Sequence, residues 1–427
     1  MKLREGVLKA LPILGHGNFL KLWSSQILNQ SAGHILNFAL AVRIFEISHS
    51  STLVGVLVAV VSVPPILFSS LAGAMADRFD RKTILFLSNI LRALVVVVFF
   101  ACGDSPAALI VLGFIISAIS QFFGPAESAT IPELVPRTEL FIANAMFVST
   151  VYIAFLIGYS IAGPLIQLLG PTKVYAILFF AFLVSAALNA ILPRLTGHLE
   201  HRIKTIEFFR NLKGEIRDGV RFIRHTPIIL MLVVQFSLVF GFERSVVALI
   251  PALATNVLGF NVQQMSLFLI LPAGLGAAIG AFVGNIAKRR WKKSTLIISG
   301  IVGAGVTLCL IPFVNYLGNP DVLVVHDVVR LWYIMALVFL TGFADVLIIV
   351  AAQTTFHEET PGHTRGRVFG SLITLMNLVG LPMILIVSWL GEHYPIMRVF
   401  FGIGIAMILL AFLSVRQNRK INSVRLD

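Results

Sequence analysis

Apolar residues in this chain come in long runs, and the runs match the thickness of a lipid bilayer. A hydrocarbon core of about 30 Å takes about 20 helical residues to cross. Runs of that length cover approximately 19–47, 51–76, 83–102, 107–133, 138–169, 172–193, 227–257, 263–287, 294–317, 330–356, 366–390 and 395–415. Backbone at membrane depth has no water to bond with, so each run is expected to satisfy its own amides as a helix. The spacing predicts an all-α integral membrane protein with twelve transmembrane helices. Composition agrees, at 57% hydrophobic and 12% charged, where a soluble domain carries about 25% charged residues.

The formal charge of +13 would suit a nucleic acid, but its placement argues otherwise. All but six of the 33 Lys and Arg residues fall in or beside segments expected on one membrane face. The six are Arg43, Arg92, Lys173, Arg244, Arg330 and Arg398. This is the asymmetry of cytoplasmic loops, so both termini are expected in the cytoplasm, with the chain in an inner or plasma membrane. The basic tail with Arg416, Arg419, Lys420 and Arg425 agrees. Residues 1–18 lack a long apolar core and a small-residue cleavage site, so no cleaved signal peptide is expected. Cys102 and Cys309 each sit in an apolar run without ligand spacing, which points to packed thiols and to no metal or cofactor.

The turn Gly73-Ala-Met-Ala-Asp77-Arg78-Phe-Asp80-Arg81-Lys82 returns later as Gly284-Asn-Ile-Ala-Lys288-Arg289-Arg290-Trp-Lys292-Lys293. Each copy lies between apolar runs. Near the start of each half, one offset pairs Gln26 with Gln235 and His34 with Glu243. Ala126-Glu127-Ser128 up to Pro136 parallels Ala351-Ala352-Gln353 up to Pro361. Tandem halves of this kind predict two pseudosymmetric six-helix bundles, 1–195 and 227–427, with a substrate site between them. Residues 196–226 form the cytoplasmic link. Apolar residues there recur at three- and four-residue steps among Arg and Lys, as in an amphipathic helix at the headgroups; a plain solvated linker is the other reading.

The loop with Gly73, Asp77, Arg78, Arg81 and Lys82 resembles the signature loop of the major facilitator superfamily. Three further segments resemble its bacterial efflux branch, which includes macrolide and enterobactin exporters. They are Asn18-Phe19-Leu20-Lys21-Leu22-Trp23, Asp218-Gly219-Val220-Arg221-Phe222-Ile223-Arg224, and Thr360-Pro361 followed by Arg365-Gly366-Arg367-Val368. The resemblance implies a two-bundle transporter of the bacterial inner membrane that alternates between inward- and outward-facing states. It also implies that Asp77 faces the N-terminus of span 11, near Arg365. Such a contact with a helix dipole is worth about 0.3–1 kcal/mol, and up to about 2 when partly buried. The second copy carries Lys288, so this latch is expected in one half only. Gly158 and Gly163-Pro164 resemble the kinked glycine-proline element of antiporters on span 5, although Leu165 and Ile166 stand where glycines often follow. The arginine motif of proton-coupled drug exporters is missing from span 4.

Polar residues that lipid penalises point to a pathway. On span 1, Gln26, Asn29, Gln30, His34 and Asn37 share one face, which should meet other helices or a watery cavity. His34 can carry a proton. Glu243 and Arg244 lie at comparable depth on span 7, and adjacent positions point about 100° apart, so one tidy pair is not expected; Glu243 could instead reach toward span 1. Arg92 on span 3 and Asp345 on span 10 each need a partner or water. Proton-coupling candidates are His34, Glu243, Asp345 and Glu127, the last near the inner gate. Substrate-cavity candidates are Gln26, Asn29, Gln30, Asn37, Arg92, Gln235 and Arg244.

No phosphate loop, nucleophile elbow or cysteine-histidine cluster is present, so an enzyme is not expected. The Gly-rich run Gly274 to Gly280 reads as close helix packing. The expectation is a monomeric, proton-coupled exporter of a small amphipathic compound, with protons and membrane lipids as its other partners. A lysophospholipid or lipid flippase, a nutrient importer and a non-transporting receptor are the alternatives.

Overall fold

The structure, a computed structural model, describes residues 12–102, 105–194, 221, 227–287, 290–317, 326–359 and 365–424. Among these residues there are helices and turns and no strand. The expected helical link 196–226 lies outside the described residues except for Arg221. The helices are α1 (Gly17–Ser48), α2 (Ser51–Val61), α3 (Val63–Arg78), α4 (Arg81–Cys102), α5 (Pro106–Leu134), α6 (Leu140–Leu169) and α7 (Pro171–Ala190). After the link come α8 (Pro227–Asn256), α9 (Leu271–Ala287), α10 (Lys293–Leu310), α11 (His326–Glu359), α12 (Arg365–His393) and α13 (Ile396–Val424).

Eleven helical segments among the described residues are long and apolar enough to cross a membrane. The 32-residue α1 is long enough but is not one of them, because its polar stripe lowers its hydropathy. Proline explains where the helices depart from uninterrupted runs. The run expected over 51–76 divides at Ser62, where Pro64 and Pro65 remove two backbone donors from the first turn of α3. Span 8 opens with a 3₁₀ turn at Val262–Gln264 and a π turn at Ser266–Ile270 before Pro272. Span 9 tightens into a 3₁₀ turn at Ile311–Phe313, around Pro312.

The chain divides into two compact units. The first comprises Met1–Ile47 and Val60–Lys204; the second comprises Ser48–Ala59 and Thr205–Asp427. In the first unit α4 packs on α5 and α7, and α3 packs on α5. Phe19, Leu22, Leu85, Phe123, Ala143 and Phe147 form a buried cluster that joins α1, α4, α5 and α6. In the second unit α9 and α10 both pack on α11, α10 packs on α13, and α8 packs on α12. The crossing of α9 with α11 is backbone on backbone. A Cβ on Gly276 would lie 1.9 Å from the Phe339 carbonyl oxygen, and one on Gly342 would lie 2.0 Å from that of Ala273. With no hydrophobic drive between helices in lipid, this close packing is what holds the pair together.

Candidate functional site

In the first unit the polar stripe of α1 meets α4, α5 and α6. Gln26 is buried, and its amide Nε2 donates to the Phe147 carbonyl at 3.2 Å. The Arg92 guanidinium donates through Nη1 to Asn29 Oδ1. It also lies 5.0 Å from the centre of the Phe123 ring and 5.9 Å from that of Phe182. Glu127 is the charge that acts on it. Arg92 and Glu127, read separately from the sequence, therefore belong to one buried group built by α1, α4, α5 and α7. An arginine suits this place, because it can donate to an amide oxygen and lie over ring faces while keeping its charge.

That group is incompletely bonded. Gln26 Oε1, Arg92 Nε and Glu127 Oε1 are buried without a hydrogen-bond partner. Sequence reasoning missed Asn89 and Asn189, both fully buried, whose side-chain amides also lack partners. Asn89 sits one helical turn before Arg92, a spacing that could have marked it; Asn189 carried no such signal. Ser25 and Ser185 exchange hydroxyl-to-carbonyl bonds of 3.3 Å between α1 and α7.

His34 lies further along α1, against α6. Its ring is 5.3 Å from that of Phe155, edge-on, and 5.2 Å from that of Tyr159. Gly158 makes the approach possible, since a Cβ there would lie 2.8 Å from the His34 Cβ. Nε2 of His34 is buried without a partner. Gln30 and Asn37 are half-buried on the same helix. Gly163 is buried and Pro164 lies inside α6.

In the second unit the carboxylates of Glu243 on α8 and Asp345 on α11 act on each other. Arg244 adds its charge to Glu243 and sits 4.7 Å from the Phe240 ring. Oδ1 of Asp345 has no hydrogen-bond partner, and neither has Nε2 of the buried Gln235. The sequence suggested that Glu243 could reach toward span 1; within its own unit the charge that acts on Asp345 is that of Glu243. Among the described residues no cluster of His, Cys, Asp and Glu could hold a metal ion.

In the basic turn Asp77 is exposed, while Arg81 is tied down. Arg81 donates to the carbonyls of Ala76 at 3.0 Å and Ala129 at 2.8 Å, and pairs with Glu133. Asp80 caps α4, accepting from the Lys82 amide and the Thr83 hydroxyl at 3.2 Å each. A Cβ on Gly73 would meet nothing within 4 Å. Arg78 is half-buried. Lys288, and the side chain of Arg365, lie outside the described residues.

Polar side chains inside apolar helices mark either interhelical contacts or a solute path. The sequence profile of the Major Facilitator Superfamily matches residues 22–380. The chain belongs to the major facilitator superfamily. It is therefore a multi-pass membrane transporter and not an enzyme. The multidrug efflux pump Tap of Mycolicibacterium fortuitum is 23% identical over 86% of this chain and 88% of its own length. Macrolide efflux protein A of Streptococcus pyogenes is 23% identical over 85% and 87%. The enterobactin exporter EntS of Escherichia coli O1:K1 / APEC is 23% identical over 86% and 83%. A bacterial homologue of the iron transporter ferroportin, solved in an inward-facing state, shares the fold with a TM-score of 0.72. Its identity is 15%, over 94% of this chain and 98% of that one.

Proposed function

We propose that this transporter exports a small amphipathic molecule across the bacterial inner membrane by alternating access, driven by protons that bind at Glu243 and Asp345. In this reading α1 is the twelfth span, both termini are cytoplasmic and the protein works as a monomer. The efflux roles of Tap, macrolide efflux protein A and the enterobactin exporter support the direction.

The observations that support the coupling are that the charges of Glu243 on α8 and Asp345 on α11 act on one another in the second unit and that Asp345 Oδ1 is buried without a hydrogen-bond partner. Two like charges side by side in a weakly screened site repel, and one proton held between them removes the repulsion. Binding or losing that proton changes the charge of the helix bundle by one. A conformational equilibrium moves only when a ligand binds its states differently. A site whose hydration differs between states gives the proton that preference. His34 and the Arg92–Glu127 group serve the first unit, His34 as a second proton carrier and Arg92 with Asn29 as the polar wall of the substrate path.

The test is a proton-flux assay in liposomes preloaded with erythromycin. Asp345→Asn and Glu243→Gln should still let erythromycin run down its gradient but should no longer exchange protons for it. Glu127→Gln and His34→Gln should lower the coupled rate. If all four variants couple protons as the unaltered protein does, the assignment is wrong.

A further inference from the structure

Within the second unit α8, α12 and α13 leave a groove of about 350 Å³ between them. Sites for small ligands span about 300–1,000 Å³. Phe242 of α8, Val387 of α12 and Ile403 of α13 give the groove apolar walls. Arg398 is its one charged lining residue, and Tyr394 brings its one hydroxyl.

The two polar residues are gathered at one end. Tyr394 stands one residue past the end of α12, and Arg398 lies in the first turn of α13. Val387 is seven residues before Tyr394, about 10 Å away along the helix at 1.5 Å per residue. Ile403 is five residues beyond Arg398, so both helices carry the groove away from the turn that joins them. That turn has the residues of headgroup depth. Trp389 and Tyr394 are both exposed there, with their rings 6.4 Å apart, and such aromatics settle at the membrane–water interface. The groove is therefore polar at the interface and apolar toward the hydrocarbon.

Arg398 is exposed, and among the described residues its side chain makes no hydrogen bond or ion pair. Glu392, six residues earlier, accepts instead from Ser50 and Thr52. The groove also stays open where α13 could have closed it. A Cβ on Gly402 would meet nothing within 4 Å, whereas one on Gly404 would lie 2.6 Å from the Gly305 carbonyl oxygen. One face of α13 is pressed against α10 while a neighbouring face is held clear.

We propose that this groove holds an anionic phospholipid, with its phosphate on Arg398 and one acyl chain along Val387 and Ile403. A guanidinium without a carboxylate partner complements a phosphate and bonds it strongly, and Tyr394 can donate to a second phosphate oxygen. The acyl chain covers apolar walls that no side chain fills. A zwitterionic lipid fits less well, because its own cation meets Arg398 with no acid beside it. One arginine near the surface favours an anionic lipid by about fivefold in affinity. This lipid site stands whatever compound the protein transports.

Native mass spectrometry of the purified, delipidated protein tests the site. The protein is titrated with dioleoylphosphatidylglycerol and separately with dioleoylphosphatidylcholine, and the affinity for the first bound lipid is read. The unaltered protein should favour phosphatidylglycerol by about fivefold. Arg398→Gln should remove that preference by weakening phosphatidylglycerol alone, and Arg398→Lys should retain it. Gly402→Trp, whose ring would occupy the groove, should weaken both lipids by about tenfold. Gly402→Leu serves in its place if the larger residue prevents folding, as read by thermal melting. Equal affinity of the unaltered protein for the two lipids overturns the proposal, as does an undiminished preference in Arg398→Gln. Undiminished binding in a folded Gly402 variant overturns it too. A dimer in the same spectra that the Gly402 variant dissociates would assign the groove to a second copy of the chain and likewise overturn it.

Discussion

Lipid makes individual polar residues conspicuous but does not say what they face. Arg92 and Glu127 could be picked out of the sequence one at a time because each is costly in a bilayer. Their meeting, and the part of Phe123, Phe182 and Asn29 in it, depends on how α4, α5 and α7 are rotated about their axes. That rotation comes from packing across helices and leaves no mark in a local pattern. The same holds for Glu243, whose charge acts on Asp345 on a helix about a hundred residues later. The Arg92 group predicts an asymmetric response to substitution. Arg92→Ala leaves Glu127 buried without its opposing charge, and removing one partner of a buried pair costs about 3–5 kcal/mol. The purified variant should melt well below the unaltered protein in detergent. Arg92→Met combined with Glu127→Gln should regain most of that loss, because neither charge is then stranded. An equal loss in the single and double variants would show that Glu127 does not depend on Arg92. Gly158 offers a second test, since alanine there puts its Cβ 2.8 Å from that of His34. Gly158→Ala should displace the imidazole and shift its proton resonances; an unmoved ring would contradict the close packing of α1 on α6.

At the scale of helices, existence and order were legible from hydropathy, while interruptions and contacts were legible only where proline or glycine marks them. Pro64 and Pro65 explain the break at Ser62, and Pro272 follows the π turn that opens span 8. The tail of α13 runs to Val424, past the apolar run that ended near 415, because Arg, Gln and Lys continue a helix readily once it leaves the bilayer. Gly276 and Gly280 signalled a close crossing, but not that α11 would be the partner or that Gly342 would answer from the other side. Their carbonyl neighbours predict a steep size dependence. Gly276→Ala should already lower thermal stability, and Gly276→Val should leave little monodisperse protein, because backbone oxygen cannot yield as a side-chain end can. Overpacking usually costs about 1–3 kcal/mol, and here both helices must separate. Gly342→Val should add little to Gly276→Val, since one displaced crossing is lost only once. Size-exclusion profiles of fluorescent fusions read both outcomes; fully additive losses would mean two independent contacts.

For the whole molecule, duplication was the legible fact, and the boundary of the packing units was not. The repeat divides the sequence between two sets of spans, yet α2 packs in the second unit while its sequence neighbours α1 and α3 lie in the first. A repeat describes ancestry along the chain; packing follows whichever surfaces touch in the folded state. This distinction separates the residues of the basic turn by role. Arg81 bonds Ala76, Ala129 and Glu133, all in the first unit, so it stabilises the packing of that unit. Asp77 is exposed and lies one residue before the end of α3, so the packing of its own unit loses little when its charge is removed. If Asp77 acts, it acts on the cycle. Arg81→Ala should therefore lower the melting temperature, with about 1–3 kcal/mol lost for hydrogen bonds to a charged group. Asp77→Asn should leave the melting temperature within a degree or two and slow efflux several-fold, as expected for a contact present in only some states. Measuring thermal stability and erythromycin efflux on the same preparations decides the matter. Unchanged efflux kinetics in Asp77→Asn would remove the latch from the mechanism, and a large fall in its melting temperature would make the residue structural.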